Sequence, residues 1–224
     1  MRNKIIKKIL TRLFSFRLLK EWKVKRKIKA DYQYLKKCGV DTKLGYVTLV
    51  GRPIIQKYPN STIRIDSGVT LVSNSEGNVA GINHPVILAT MKENAIIHLG
   101  KDCGLSGATI CAASKIEIGE YAGLGANVCV YDTDFHPINP FERKYANEKM
   151  LSNPVFIDDF AWIGGNSIVL KGVTISKGGV LGAGSVLTKN IPELCVYAGN
   201  PAKFIKKIEM NDETYRYLFN SNKE

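Results

Sequence analysis

From Ile157 to Leu187 an aliphatic residue returns at every sixth position: Ile157, Ile163, Val169, Ile175, Leu181 and Leu187. A helix buries a stripe at every third to fourth residue, and a half-buried strand at every second. A period of six fits neither as a long element. It fits short strands joined by tight turns and stacked coil upon coil, three six-residue units to each coil. The spacing puts Ile157 under Ile175 and Ile163 under Leu181, in coils about 4.8 Å apart. Small or β-branched residues keep the same phase at Ala161, Ser167, Val173, Gly179 and Ser185. Gly164, Gly172, Gly178, Gly182 and Gly184 suit sharp corners between the strands.

The same spacing runs earlier through Leu99, Leu105 and Cys111, then Ile118, Leu124 and Val130, with one extra residue between Cys111 and Ile118. It then stops until Ile157. The interruption is polar, contains Pro137, Pro140 and Pro154, and is too long for a corner. A loop leaving a rigid scaffold is where function concentrates. This one carries Tyr131-Asp-Thr-Asp-Phe-His136-Pro-Ile-Asn-Pro-Phe-Glu-Arg143. A histidine titrates where a proton can be taken near neutral pH. Position alone leaves His136 open between a general base and a surface histidine bonded to a nearby carbonyl.

Charge separates the front of the chain from the rest. Residues 1–37 hold fourteen Lys or Arg and two acidic residues, which accounts for the whole net charge of +12. The remaining chain is neutral. Residues 3–37 read as a helix whose apolar stripe includes Ile5, Ile9, Leu13 and Phe16. Two placements stand: packing on the prism or another subunit, or lying on an anionic membrane surface with Trp22 near the interface. No motif suits a nucleic-acid groove. Gly39 is placed to end the helix. Short irregular strands are expected over 45–98, with a turn-rich loop from Ser73 to Asn83.

The five cysteines are odd in number and contain no CxxC pair. That argues against a disulfide framework and for a reducing, cytoplasmic setting. No apolar run approaches the roughly 20 residues of a spanning helix, and no leader pattern is recognised.

The stretch from about Leu99 to Ile208 resembles the hexapeptide-repeat acyltransferases. The resemblance rests on the hexads, on Leu105-Ser-Gly-Ala-Thr109, on Asp132-Thr-Asp-Phe-His136-Pro, and on the tail Ala198-Gly-Asn-Pro-Ala-Lys203-Phe-Ile-Lys206. Its nearest branch contains the maltose and galactoside O-acetyltransferases and the surface-polysaccharide acetyltransferases. The resemblance implies an all-β fold, a left-handed parallel β-helix, with an N-terminal basic helical segment and a short C-terminal helix. The handedness comes from the resemblance, against the usual right-handed crossover. The implied division is a helical extension over 1–38, irregular first coils over 39–98, a catalytic β-helix over 99–200 with its loop at 131–156, and a tail over 201–224.

The implied activity is direct acetyl transfer from acetyl-CoA to a carbohydrate hydroxyl of the cell envelope, at the cytoplasmic membrane face. His136 is the implied base, with no metal and no nucleophilic Ser or Cys. Coil backbone N–H groups would hold the oxyanion. Asp132 and Asp134 are candidates to orient His136 or contact the acceptor, or are turn caps; Glu142 and Arg143 are acceptor contacts or a solvated pair. Ser106 stands near the position where the maltose and galactoside enzymes have an asparagine, a departure from their pattern. The implied coenzyme contacts are Gly165, Ala183, Thr188 and Lys189, with Lys203 and Lys206 facing phosphates or forming a basic helix face. Trp162 is a packing residue beside the pantetheine groove. Family members are commonly homotrimers with sites between subunits.

The same base and groove would serve N-acylation of an amino sugar nucleotide or of an antibiotic. A metal-dependent β-helix enzyme needs three clustered histidines, and His84, His98 and His136 lack that spacing. A non-catalytic β-helix scaffold is the remaining alternative, favoured if no acyl-CoA binds.

Overall fold

A computed structural model describes residues 21–145 and 151–220. The apolar stripe expected over residues 5–18 lies outside the described residues.

The chain winds as a three-faced parallel β-helix. The first face begins with Val47–Val50, the second with Ile54–Gln56 and the third with Thr62–Ile65. Later strands return to the faces in the same order, giving sheets of eight, six and five strands. Ile157 pairs with Ile175 and Ile163 with Leu181, the register that a six-residue period demands. Three aliphatic columns fill the interior. Leu71, Leu105, Leu124, Ile163 and Leu181 line the first face, and Leu88, Ile110, Val130, Val169 and Leu187 the second. Leu99, Ile118, Ile157 and Ile175 line the third, and all of these are buried.

Corners need small side chains or left-handed backbone. Ser167 is fully buried at one corner. Its Oγ donates to Gly182 O at 2.9 Å and accepts from Ser185 N at 3.2 Å, so the hydroxyl is satisfied. Asn127, Asn166 and Gly184 follow one another along the edge between first and second faces, at φ +61°, +59° and +67°. Asparagine tolerates this region better than other side chains. Asn127 Nδ2 donates to Asn166 Oδ1 at 3.2 Å.

The prism begins at Val47, within the stretch expected to hold irregular first coils. Strands expected to be irregular join the same faces in strict register, with Leu71 opposite Leu105, Leu88 opposite Ile110 and Leu99 opposite Ile118. The period is hidden because residues 73–86 leave the prism between Val69–Val72 and Ile87–Thr90.

Helix α1, residues 21–37, closes the starting end of the prism. Gly39 terminates it at φ +74°: Val40 N donates to Leu35 O and Gly39 N to Lys36 O, with Leu35 and Val40 both buried. Tyr34 OH donates to Pro53 O at 2.6 Å. The earlier part of the helix is exposed, including Trp22, whose ring lies under Arg26.

At the other end Ala202–Lys207 turns back antiparallel on Cys195–Gly199. Lys203 and Lys206 therefore stand on a strand, not on the helix face allowed for above. The C-terminal helix is Asp212–Asn220, capped by Asn211 Oδ1 accepting from Thr214 N at 2.8 Å. No helix among the described residues is long and apolar enough to cross a membrane.

Candidate active site on the excursion from the prism

The long excursion leaves the edge between second and third faces after Cys129–Tyr131 and returns at Val155–Ile157. Its neck is tied across: Asn153 N donates to Asp132 O, Asp134 N to Leu151 O, and Thr133 bridges Ser152. Asp132 is fully buried. Its Oδ1 accepts from Ala113 N, and its Oδ2 from Ser114 N and Lys115 N, each at 2.7 Å. Burial pushes this carboxyl above the ordinary aspartate range, against the opposing pull of the amide donors. Both oxygens are engaged with backbone one coil below. Asp132 is thus a turn-capping anchor, which corrects its candidacy as an acceptor contact.

The next residues project a histidine. Asp134 Oδ2 is buried without a well-aligned hydrogen bond and is neutralised by Lys171 Nζ at 2.8 Å. Phe135 adopts φ +61°, an outlier for a bulky side chain. His136 N closes this tight turn on Asp134 O at 2.7 Å. The Phe135 ring meets Tyr131 edge-on, with centroids 5.1 Å apart. His136 itself is exposed, beside buried Pro137, and its ring makes no hydrogen bond among the described residues. An off-preference turn holds an exposed imidazole out from the scaffold.

A short helix, α2 (Pro140–Tyr145), follows where a loop was expected. Pro140 opens it, and Asn139 Oδ1 accepts from Phe141 N at 2.9 Å. Glu142 is half-buried on this helix. Arg143 is exposed and donates to Ile138 O at 3.5 Å. Ile138, Phe141 and Tyr145 expose apolar surface next to His136.

The other candidates divide between two edges. Gly165 and Ala183 stack on the edge between first and second faces, where Gly184 N donates to Gly165 O at 2.9 Å. Trp162, 52% exposed, lies on the outer first face over Gly123, where any Cβ would meet its ring. Thr188 and Lys189 follow Val186–Leu187 and so occupy the other edge of the second face, with Lys171 and the His136 excursion. Within one chain, the second face separates these two sets. Ser106, within one chain, stands on a different edge from the His136 excursion. It ends Gly104–Ser106 at the first edge, whereas the backbone directly below Asp132 is Ala113–Lys115.

Sequence reasoning missed Lys171 and Phe135. Lys171 was within reach of the register, since Val130 pairs with Val169 and two further residues on each strand give Asp132 and Lys171. Nothing in the sequence signals the turn at Phe135. Two of the five thiols are unsuited to nucleophilic work: burial pushes Cys103 up to about 12 and Cys111 up to about 11. No group of three or more potential metal ligands occurs among the described residues.

No protein-family model matches the chain. It is similar to a Staphylococcus aureus protein provisionally named an acetyltransferase, with 43% identity over 91 residues, 38% of this chain and 45% of that protein. It is also similar to the galactoside O-acetyltransferase of Lactococcus lactis, with 38% identity over 108 residues, 48% of this chain and 51% of that one. The chain spans about half the length of these curated relatives. Among solved structures, a variant of the N-acyltransferase AntD from Bacillus cereus, in complex with dTDP and coenzyme A, matches with a TM-score of 0.56. It is 19% identical, and the match covers 84% of this chain and 94% of that chain. That likeness is one of fold: both chains are parallel β-helices.

Proposed function

We propose that this protein transfers an acetyl group from acetyl-CoA to a carbohydrate hydroxyl, with His136 as general base. The observation that carries this reading is the exposed imidazole held out by the Phe135 turn, on an excursion tied to the prism by Asp132. In the reaction the acceptor oxygen attacks the thioester carbonyl as His136 takes its proton. The carbon–sulfur bond of the tetrahedral intermediate then breaks, and the leaving thiolate is protonated. Asp134, neutralised by Lys171, positions the turn rather than meeting the substrate. Acetyl-CoA incubated with sugars, sugar nucleotides and envelope glycan fragments tests the reading by mass spectrometry. A product heavier by one acetyl group is expected, and its absence across all acceptors would overturn it.

The proposed coenzyme contacts, Gly165, Ala183 and Trp162 on one side and Thr188 and Lys189 on the other, border opposite edges of the second face. A long substrate touching both sets runs between two copies of the chain. The outer second face suits such a contact, for it presents Ile54, Cys129, Ile168 and Val186. A homotrimer is therefore part of the proposal. Light scattering should give three times the 24.8 kDa chain mass, and a monomer at working concentration would count against it.

The exposed part of α1 carries Lys23, Lys25, Arg26 and Lys29 beside Trp22. We assign it to an anionic membrane surface, which would bring the enzyme to envelope precursors. Sedimentation with vesicles containing phosphatidylglycerol should retain the protein at low salt and release it as ionic strength rises. Equal retention by neutral phosphatidylcholine vesicles would refute an electrostatic anchor. Substituting glutamate at Lys23, Lys25 and Arg26 suits this test better than deleting the helix, because Leu35 is part of the core.

A further inference from the structure

A groove of about 500 Å³ lies on the outer third face. It crosses the strands. His98, Glu117, Phe156 and Thr174 stand directly opposite one another on four successive strands, a row about 14 Å long at the usual strand spacing. The polar groups of the row are held in place. His98 Nε2 and Asp66 Oδ2 are 2.7 Å apart, and Asp66 Oδ1 accepts from Arg64 Nε at 3.1 Å. Lys115 Nζ pairs with Glu117 Oε1 at 2.9 Å. Each carboxylate keeps acceptor capacity beyond its paired cation. The Phe156 ring is 36% exposed among these groups, with the Lys115 ammonium 5.7 Å from its centroid.

An open ring beside fixed, paired hydrogen-bonding groups is the complement of a sugar, whose C–H face is apolar and whose rim is hydroxyl. Fixed groups also bind without first losing side-chain freedom. Charge narrows the class. The carboxylates of Asp66, Glu117, Glu120, Asp158 and Asp159 line the groove; Arg64, Lys115 and Lys177 each pair with one of them, and the negative charge left over disfavours phosphate and carboxylate ligands. One flank of the row, midway along it, borders the foot of the excursion: Lys115, on the Glu117 strand, donates its backbone N–H to Asp132 Oδ2, and Phe156 belongs to the strand on which the excursion returns.

We infer that the third-face groove is a docking site for a neutral or amine-bearing oligosaccharide, which lies across the strands with one flank beside the foot of the His136 excursion. The groove makes the acceptor a glycan rather than a sugar nucleotide. That last step rests on the acetyltransferase reading; saccharide binding itself does not.

Saturation-transfer NMR on the intact protein, with maltotriose, chitotriose and its deacetylated triamine as probes and UDP-glucose as the anionic control, tests binding without turnover. The expected result is transfer to one or more of the three oligosaccharides and none to UDP-glucose through this face, with affinity at least about tenfold weaker in Phe156→Ala and reduced in Glu117→Gln. The half-exposed ring makes Phe156→Ala tolerable to the fold, and an unchanged melting curve checks this. With a turned-over acceptor, the same variants should raise its KM and leave the KM for acetyl-CoA unchanged. Oligosaccharide binding that depends on Phe156 without any acetyl transfer would uphold the groove and overturn the acetyltransferase reading. Failure of all three oligosaccharides to bind, or binding indifferent to both substitutions, would overturn the groove whether or not transfer is found.

Discussion

Replacing His136 with alanine is expected to lower kcat for acetyl transfer by about 10²–10⁴-fold, the usual loss on removing a general base. Stability should hardly change. The ring is exposed and makes no hydrogen bond among the described residues, and surface changes of this kind typically stay within about 0.5 kcal/mol. The loss should appear in kcat more than in the KM for acetyl-CoA, since His136 moves the acceptor proton and is not itself among the proposed coenzyme contacts. Glutamine offers a sharper comparison. It keeps a polar group of similar reach but cannot take the proton, so His136→Gln should be nearly as slow as His136→Ala. The readouts are acetylated product by mass spectrometry and a thermal melt on the same samples. A folded His136→Ala protein that acetylates at the parental rate would remove His136 from the chemistry. Recovery by glutamine would instead make it a binding residue.

The regular half of the fold was legible because its corners are uniform. From Ile157 onward each face takes six residues, so period and register are one fact. The early coils obey the same register but not the same count. Leu71 and Leu88 occupy consecutive faces with the excursion of residues 73–86 between them, and a search for sixes passes over both. Nearness in sequence is also no guide to nearness on the prism. Ala183 and Thr188 are five residues apart, which on this prism is almost a full face, so they sit on different edges. Conversely, the third-face groove draws His98, Glu117, Phe156 and Thr174 one from each strand. Residues so dispersed form no motif. Asp132 and Asp134 show a third limit. Both lie in one short polar stretch, but one carboxylate is consumed by three amides and the other by a lysine a coil away.

Asp132→Ala should be the most damaging single change in the excursion, although the side chain touches no substrate. It removes the charged acceptor of Ala113 N, Ser114 N and Lys115 N together, in a site with no solvent exposure at Asp132. An orphaned buried donor costs about 1–3 kcal/mol, and water entering the vacated space recovers part of it. A net loss of roughly 3–5 kcal/mol follows for the three. Urea unfolding should show it as a lower midpoint. Activity should fall further than stability requires, because the same carboxylate fixes the start of the turn that carries His136. A displacement of about 1 Å there can cost on the order of 10²-fold in rate. Asp132→Asn separates the two roles by degree. Its one carbonyl oxygen can still accept from Ser114 N and Lys115 N, while its NH2 faces the Ala113 donor. It should fall between alanine and the parent in both midpoint and rate. An alanine variant with parental midpoint and parental rate would mean that the tie to Ala113–Lys115 does not hold the excursion. A parental midpoint with a lost rate would mean instead that Asp132 acts on the chemistry and not through the turn.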